Sequence, residues 1–146
     1  MRSLLLILLF SGFQNFAQSK KIADNIKNLD NSQFIIDHNV KAGFSMKSPA
    51  AMKLIKIGKP ATEKLIAALN DPTKVIMVHL TLCHIYFKQA TFAGPKIISI
   101  DGVEINKYFL GEEHGEGLII SEVSNRKYIQ PGDLEKIKLY WTKKVK

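Results

Sequence analysis

Apolar positions along the 146-residue chain change their spacing along its length, and the changes mark out its elements. Ile22, Ile26 and Leu29 recur at intervals of four and three, which predicts a short amphipathic helix. Phe34-Ile35-Ile36 fits either a continuing helix or a short strand, and Gly43 with Ser45 predicts a break after it. Ser48 before Pro49 is a helix start, a hydroxyl cap followed by a residue whose missing N–H costs nothing in the first turn. Ala51, Met52, Leu54 and Ile55 form the apolar stripe of that helix, and Gly58 supplies its left-handed stop. Pro60 restarts a helix with Ala61, Leu65, Ala68 and Leu69 on one side, and Asn70-Asp71-Pro72 turns the chain. The next helix, Lys74 to Phe87, is apolar almost all round, with Met77, Thr81, His84 and Lys88 as its weaker face. Such a helix has to be buried, so the pattern places the core there.

After Gly94-Pro95 the spacing shortens to that of strands. Lys96–Ile100, then Asp101-Gly102, then Val103-Glu104-Ile105 is a β-hairpin signal, and Tyr108, Phe109 and Leu110 extend it. Gly111 to Gly117 is a polar, glycine-rich connection, and Leu118–Val123 is a further strand. Pro131 and Asp133 open a last helix with Leu134, Ile137, Tyr140 and Trp141 facing inward. The order is mainly helical over residues 18–90, β-rich over 96–123, and helical over 131–144. That predicts a single α+β domain over residues 18–146.

Within the helical part, Gly58-Lys59-Pro60-Ala61, Leu65-Ile66-Ala67-Ala68-Leu69, Asn70-Asp71-Pro72 and Val75 resemble the helix–turn–helix unit of HEAT-like repeats. The resemblance covers roughly residues 50–87. Ile76 departs from it, standing where the family often carries arginine after the valine of the second helix. No second copy recurs at a period near forty residues, so the resemblance implies one HEAT-like helix pair inside another fold. In that family such pairs present surfaces to other proteins.

The N-terminus carries an address. Met1-Arg2-Ser3 is positive, Leu4–Phe10 is unbroken apolar sequence, and Ser11 to Ala17 turns small and polar. This is the layout of a secretory signal peptide over residues 1–17, with cleavage after Ala17 and export to the periplasm or the outside. Its apolar run is too short to span a bilayer. Cys83 is the single cysteine, which excludes a disulfide framework within the chain, and it reads as a buried thiol.

Hydrophobic residues make up 46% and charged residues 23% of the chain, a globular balance. The net charge of +8 is unevenly distributed. Residues 38–100 hold nine lysines against Glu63 and Asp71, whereas residues 101–122 hold six acids against Lys107. A basic exported protein meets anionic lipid, acidic glycans and acidic proteins far more often than nucleic acid. Basic residues without interleaved aromatics also argue against single-strand nucleic acid binding.

His79 and Cys83 stand one helical turn apart, a spacing that can share a metal ion, but their apolar neighbours point to a packed histidine. Glu112-Glu113-His114-Gly115-Glu116 has the composition of a cation or proton-transfer site, on a glycine-flanked segment that reads as a solvated loop. No nucleophile elbow and no phosphate-cradling glycine loop is present. No cofactor is implied, and no oligomeric state is legible. Lys53 and Lys56 lie off the apolar stripe of their helix, with Lys59 in the turn below, as a partner-binding or solubilising basic surface. The expected function is a non-enzymatic protein-interaction module, with a small hydrolase or metal-dependent enzyme using Glu113, His114 and Glu116 as the alternative.

Overall fold

Local signals set most element ends in the computed structural model, which describes residues 2–38 and 43–146, with side chains from Asn15 onward. Helix α1 is Arg2–Lys27. The expected amphipathic helix is its C-terminal part, where Ile22 is buried, as is Leu29 just beyond the end. The signal-peptide expectation falls on residues 1–17, and the side chains of 1–14 lie outside the described residues.

Asp30 caps a short 3-10 turn, Asn31–Gln33, by accepting from the Ser32 N–H at 2.8 Å, while the Gln33 side chain accepts from the Asp30 N–H at 3.2 Å. The chain then enters β1 (Phe34–Asp37), which pairs antiparallel with β2 (Gly43–Met46). This settles the alternative left open for Phe34-Ile35-Ile36 in favour of a strand. It also corrects Gly43, which opens β2 instead of marking a break. Phe34 and Ile36 are buried on alternate positions, as strand geometry requires.

Helix α2 (Pro49–Ile57) starts as its sequence dictates, with the Ala51 N–H donating to Ser48 Oγ at 3.2 Å. Gly58, at φ 76°, ends it. Met52 is the exception to its stripe: it is 56% exposed, and Ala50 joins Ala51 and Leu54 inside. A 3-10 turn, Lys59–Ala61, leads into α3 (Thr62–Ala68), whose Leu65 is buried together with Leu69 beyond its end.

Helix α4 (Val75–Phe87) is the centre of the core, buried without a break from Val75 to Cys83 and again at Ile85. Its expected weaker face is half wrong. Met77 and Thr81 are fully buried, and the Thr81 hydroxyl stays inside by donating to the Met77 carbonyl at 2.7 Å. Only His84 and Lys88 of that set reach solvent, and Lys88 ends the helix in the left-handed conformation at φ 66°.

A four-stranded antiparallel sheet follows in the order β3 (Phe92–Ile100), β4 (Val103–Leu110), β5 (Leu118–Val123), β6 (Arg126–Tyr128). Asp101-Gly102 makes the first turn with φ of 51° and 78°, the doubly left-handed turn that its sequence predicts. Strand β3 begins at Phe92, before Gly94-Pro95, and absorbs that pair in a register irregularity between Ala93 and Lys96. Tyr108 and Leu110 of β4 are buried with Leu118 and Ile120 of β5. The far end of the β3–β4 hairpin stands clear of the core, with Ile97 60% and Ile100 53% exposed.

Phe34, Phe44, Phe92 and Tyr108 pack ring against ring, with centroids 5.1–5.7 Å apart, and join the small sheet to the large one. Helix α5 (Pro131–Lys144) closes the core with Ile137 and Trp141, while Leu134 and Tyr140 are half-buried. The protein is an α+β fold.

Candidate functional sites

His79 is fully buried, and its ring is completely partnered. Trp141 Nε1–H donates to Nδ1 at 3.0 Å, and Nε2 lies 3.1 Å from the Leu110 carbonyl. Indole nitrogen is a donor only, so Nδ1 must accept and Nε2 must carry the proton. The imidazole is neutral, and burial pushes its pKa down to about 4. Cys83 Sγ sits 3.5 Å from Nε2. Burial first, then the nearby Glu116 carboxylate, push this thiol up, which makes it inert. The Tyr140 hydroxyl, buried and without a partner among the described residues, is raised by burial and then by the same carboxylate. The i, i+4 pair is thus a structural assembly.

The segment between β4 and β5 is solvated at Glu112, Glu113, His114, Gly115 and Gly117, as its composition suggests, but Gly111 and Glu116 are buried and its ends are tethered. Gly111 N–H donates to the Thr91 carbonyl at 2.8 Å, Glu112 N–H to Thr91 Oγ1 at 3.0 Å, and Gln89 to Glu113 at 3.2 Å. Glu116 turns inward and is 2% exposed, accepting from the His114 N–H at 2.7 Å. The His114 ring packs on Phe87 at 4.1 Å. Glu113, His114 and Glu116 therefore point to different surroundings, and among the described residues no three His, Cys, Asp or Glu side chains gather as metal ligands.

The three lysines are all exposed, and among the described residues none forms an ion pair. Among the described residues none of them pairs with an acid of residues 101–122. Lys53 borders an open groove of about 420 Å³ with Lys20 and Lys21 of α1, against one acid, Asp24. Lys56 lies in the last turn of α2. Lys59 reaches over the Tyr86 ring at 5.9 Å.

A second pocket lies where no sequence motif points. It has a volume of about 390 Å³ and opens where the β1 end meets the β4–β5 face, lined by His38, Glu104, Asn106, Glu122 and the Ser124-Asn125 turn. Strand register builds it: Asn106 pairs with Glu122, and period-two alternation puts Glu104 on the same face. Glu122 is only 4% exposed, and Tyr108 donates to its Oε2 over a long 3.3 Å. His38 Nε2 lies 3.9 Å from that oxygen, and its Nδ1 lies 3.5 Å from the Tyr108 hydroxyl. Burial, then the Glu122 charge, raise the pKa of Tyr108, so it stays protonated as a donor. Ser124 and Asn125 turn the chain with φ of 47° and 65°, a left-handed pair built without glycine. Leu118, Ile120, Glu122 was a readable signal: a carboxylate on the buried face of a strand.

The geometry defines an α+β protein with a basic helical groove at one place and an acidic sheet pocket at another. No family model, curated protein or solved structure matches the chain.

Proposed function

We propose that this is an exported, non-enzymatic protein-interaction module that docks an acidic partner on the basic face of α1 and α2. The carrying observation is the groove bordered by Lys20, Lys21 and Lys53, with Lys56 and Lys59 further along the same stretch of chain. Charges left unpaired by the fold are free to pair with a partner and to speed its approach. The HEAT-like resemblance of residues 50–87 supports the same reading by analogy. Export rests on the residue 1–17 layout, and among the described residues no helix is long and apolar enough to cross a membrane.

The test is retention on immobilised polyglutamate together with partner capture from the exporting compartment. Reversing Lys53, Lys56 and Lys59 to glutamate should abolish both and leave the thermal midpoint nearly unchanged, because exposed pairs contribute about 0–1 kcal/mol. A charge-matched control, Lys136, Lys143 and Lys146 reversed, should retain both. Equal loss in the two variants would sink the proposal in favour of general basicity. N-terminal sequencing of exported material should begin at Gln18, and Met1 retained there would overturn the cleavage.

A further inference from the structure

One edge of the large sheet is left open. Among the described residues β3 borders only β4, so its other side is a row of free backbone donors and acceptors, a template for a further strand. The opposite edge is defended, because β6 is three residues long and carries Arg126 and Lys127. The first half of β3 is defended as well, by Pro95, which has no N–H, and by the register irregularity between Ala93 and Lys96. Among the described residues nothing defends Ile97-Ile98-Ser99-Ile100. This run is uncharged, rich in β-branched residues, and most of it lies beyond the last β4–β5 pair, Asn106 with Glu122. Ile100 and Val103 flank the two-residue turn as a hydrogen-bonded pair, so bonds to β4 alternate back along the strand. The N–H and C=O groups of Ile97 and Ser99 therefore face outward.

We infer that this edge docks a second copy of the chain, with β3 pairing antiparallel to its own twofold mate about Ile98. Charge selects the mate. Lys96 stands at the start of the open run and Asp101 just past its end, both exposed, and neither is in an ion pair among the described residues. Antiparallel order sets the cationic end of one copy beside the acidic end of the other, and the twofold makes that contact twice. Within one copy Lys96 faces Lys107 across the strands, a like-charge pair that an acid from the second copy relieves. Hydrogen bonding selects the centre. Pairing about Ile98 sets Ile97 opposite Ser99 of the second copy, and Ser99 opposite its Ile97, so the open groups of both copies are used. Ile98 then meets its own counterpart in a non-hydrogen-bonded pair, where side chains come closest. Ile100, Val103 and Ile105 extend the apolar band on that same face in each copy. Pairing over residues 96–100 makes a small interface, so the dimer belongs with weak, reversible contacts and dissociates on dilution. It uses neither the basic groove nor the acidic pocket, and it stands independently of the proposed function.

The experiment is sedimentation equilibrium of the purified protein over a dilution series, with amide hydrogen exchange followed at the same concentrations. Dilution should convert dimer to monomer, and the Ile97 and Ser99 amides, open in the monomer, should gain at least about tenfold protection as concentration rises. Ile98→Lys sets two ammonium groups face to face at the centre of the pairing and should leave a folded monomer, because Ile98 is only half-buried. Should that variant fail to fold, Ser99→Pro serves instead, since the N–H it removes points away from β4 and the monomer keeps its ladder. Lys96→Glu removes the like-charge pair with Lys107, so it keeps the fold, yet it faces Asp101 of the second copy and should weaken the dimer at least about tenfold. A monomer at about 1 mM would overturn the assignment and leave the edge to a strand of another protein. A dimer that survives folded Ile98→Lys or Ser99→Pro, that Lys96→Glu leaves as strong, or that leaves the Ile97 and Ser99 amides unprotected would overturn it equally.

Discussion

Gly111 lies so close to His79 that any β-carbon placed on it would sit 3.2 Å from the imidazole Nε2. The same carbon would meet Glu116 Cγ at 3.0 Å, and the backbone there is at φ 73°. Gly111→Ala should therefore destabilise by about 1–3 kcal/mol from overpacking, beyond the cost of left-handed alanine. Gly115→Ala is the control, since that glycine is also left-handed, at φ 81°, but has nothing within 4 Å. Urea unfolding of both variants separates the two costs. Equal losses would show that the loop yields to the methyl group.

Neutral His79 makes stability depend on pH in a defined direction. The unfolded chain takes up its proton as pH falls through about 6.5, whereas the folded chain resists until about 4. Stability is then complete above pH 6.5 and declines toward pH 4, by about 3 kcal/mol in total. His79→Gln should flatten that part of the profile. Asp71, held down to about 2 first by its Thr73 hydrogen bond, contributes only at still lower pH. A wild-type unfolding midpoint that is level from pH 6.5 to 4 would contradict the buried neutral imidazole.

Helix α4 supplies a matched pair of opposite sign. Leu82→Ala empties a fully buried site and should cost about 2–5 kcal/mol. Lys88→Gly relieves a left-handed lysine at the helix end and should stabilise by up to about 1 kcal/mol. Thermal and denaturant midpoints moving in the same direction for both would show the helix end to be wrongly placed.

Cys83 is buried, with its thiol pushed up, so a thiol reagent should label it only as fast as the protein opens. Labelling faster than unfolding, measured on the folded protein, would mean that α4 admits solvent.

What could be read from the sequence was local. The Ser48 cap, the Gly58 stop, the Asp101-Gly102 turn and the encircled α4 each depend on residues a few positions apart, and each is present. The small sheet was legible only in part, because Phe34-Ile35-Ile36 gains its strand identity from pairing with β2. Glu116 shares the composition of its solvated neighbours, although its carboxylate is held inside by the His114 backbone. The acidic pocket was out of reach of any motif, since His38 and Tyr108 are 70 residues apart in the chain. Only the alternation of Leu118, Ile120 and Glu122 hinted at it, and alternation alone does not say what faces the odd residue.

Trp141 is the chain's single tryptophan, and its neighbours in the core are His79, Tyr86, Phe87 and Tyr140. The intrinsic fluorescence of this protein is thereby a reporter with one address. Its emission follows the docking of α5 on α4 and the protonation of the imidazole it touches, and none of its ring contacts among the described residues is with a residue lining the acidic pocket. Tyr108, whose hydroxyl is bonded to Glu122, reports that pocket instead, and the Tyr108→Phe difference separates its absorbance from that of Tyr86, Tyr128 and Tyr140. Tryptophan emission and the part of the tyrosine absorbance that Tyr108→Phe removes thus watch two different parts of one molecule. A change in the second without the first marks an event at the sheet that leaves the helical core closed.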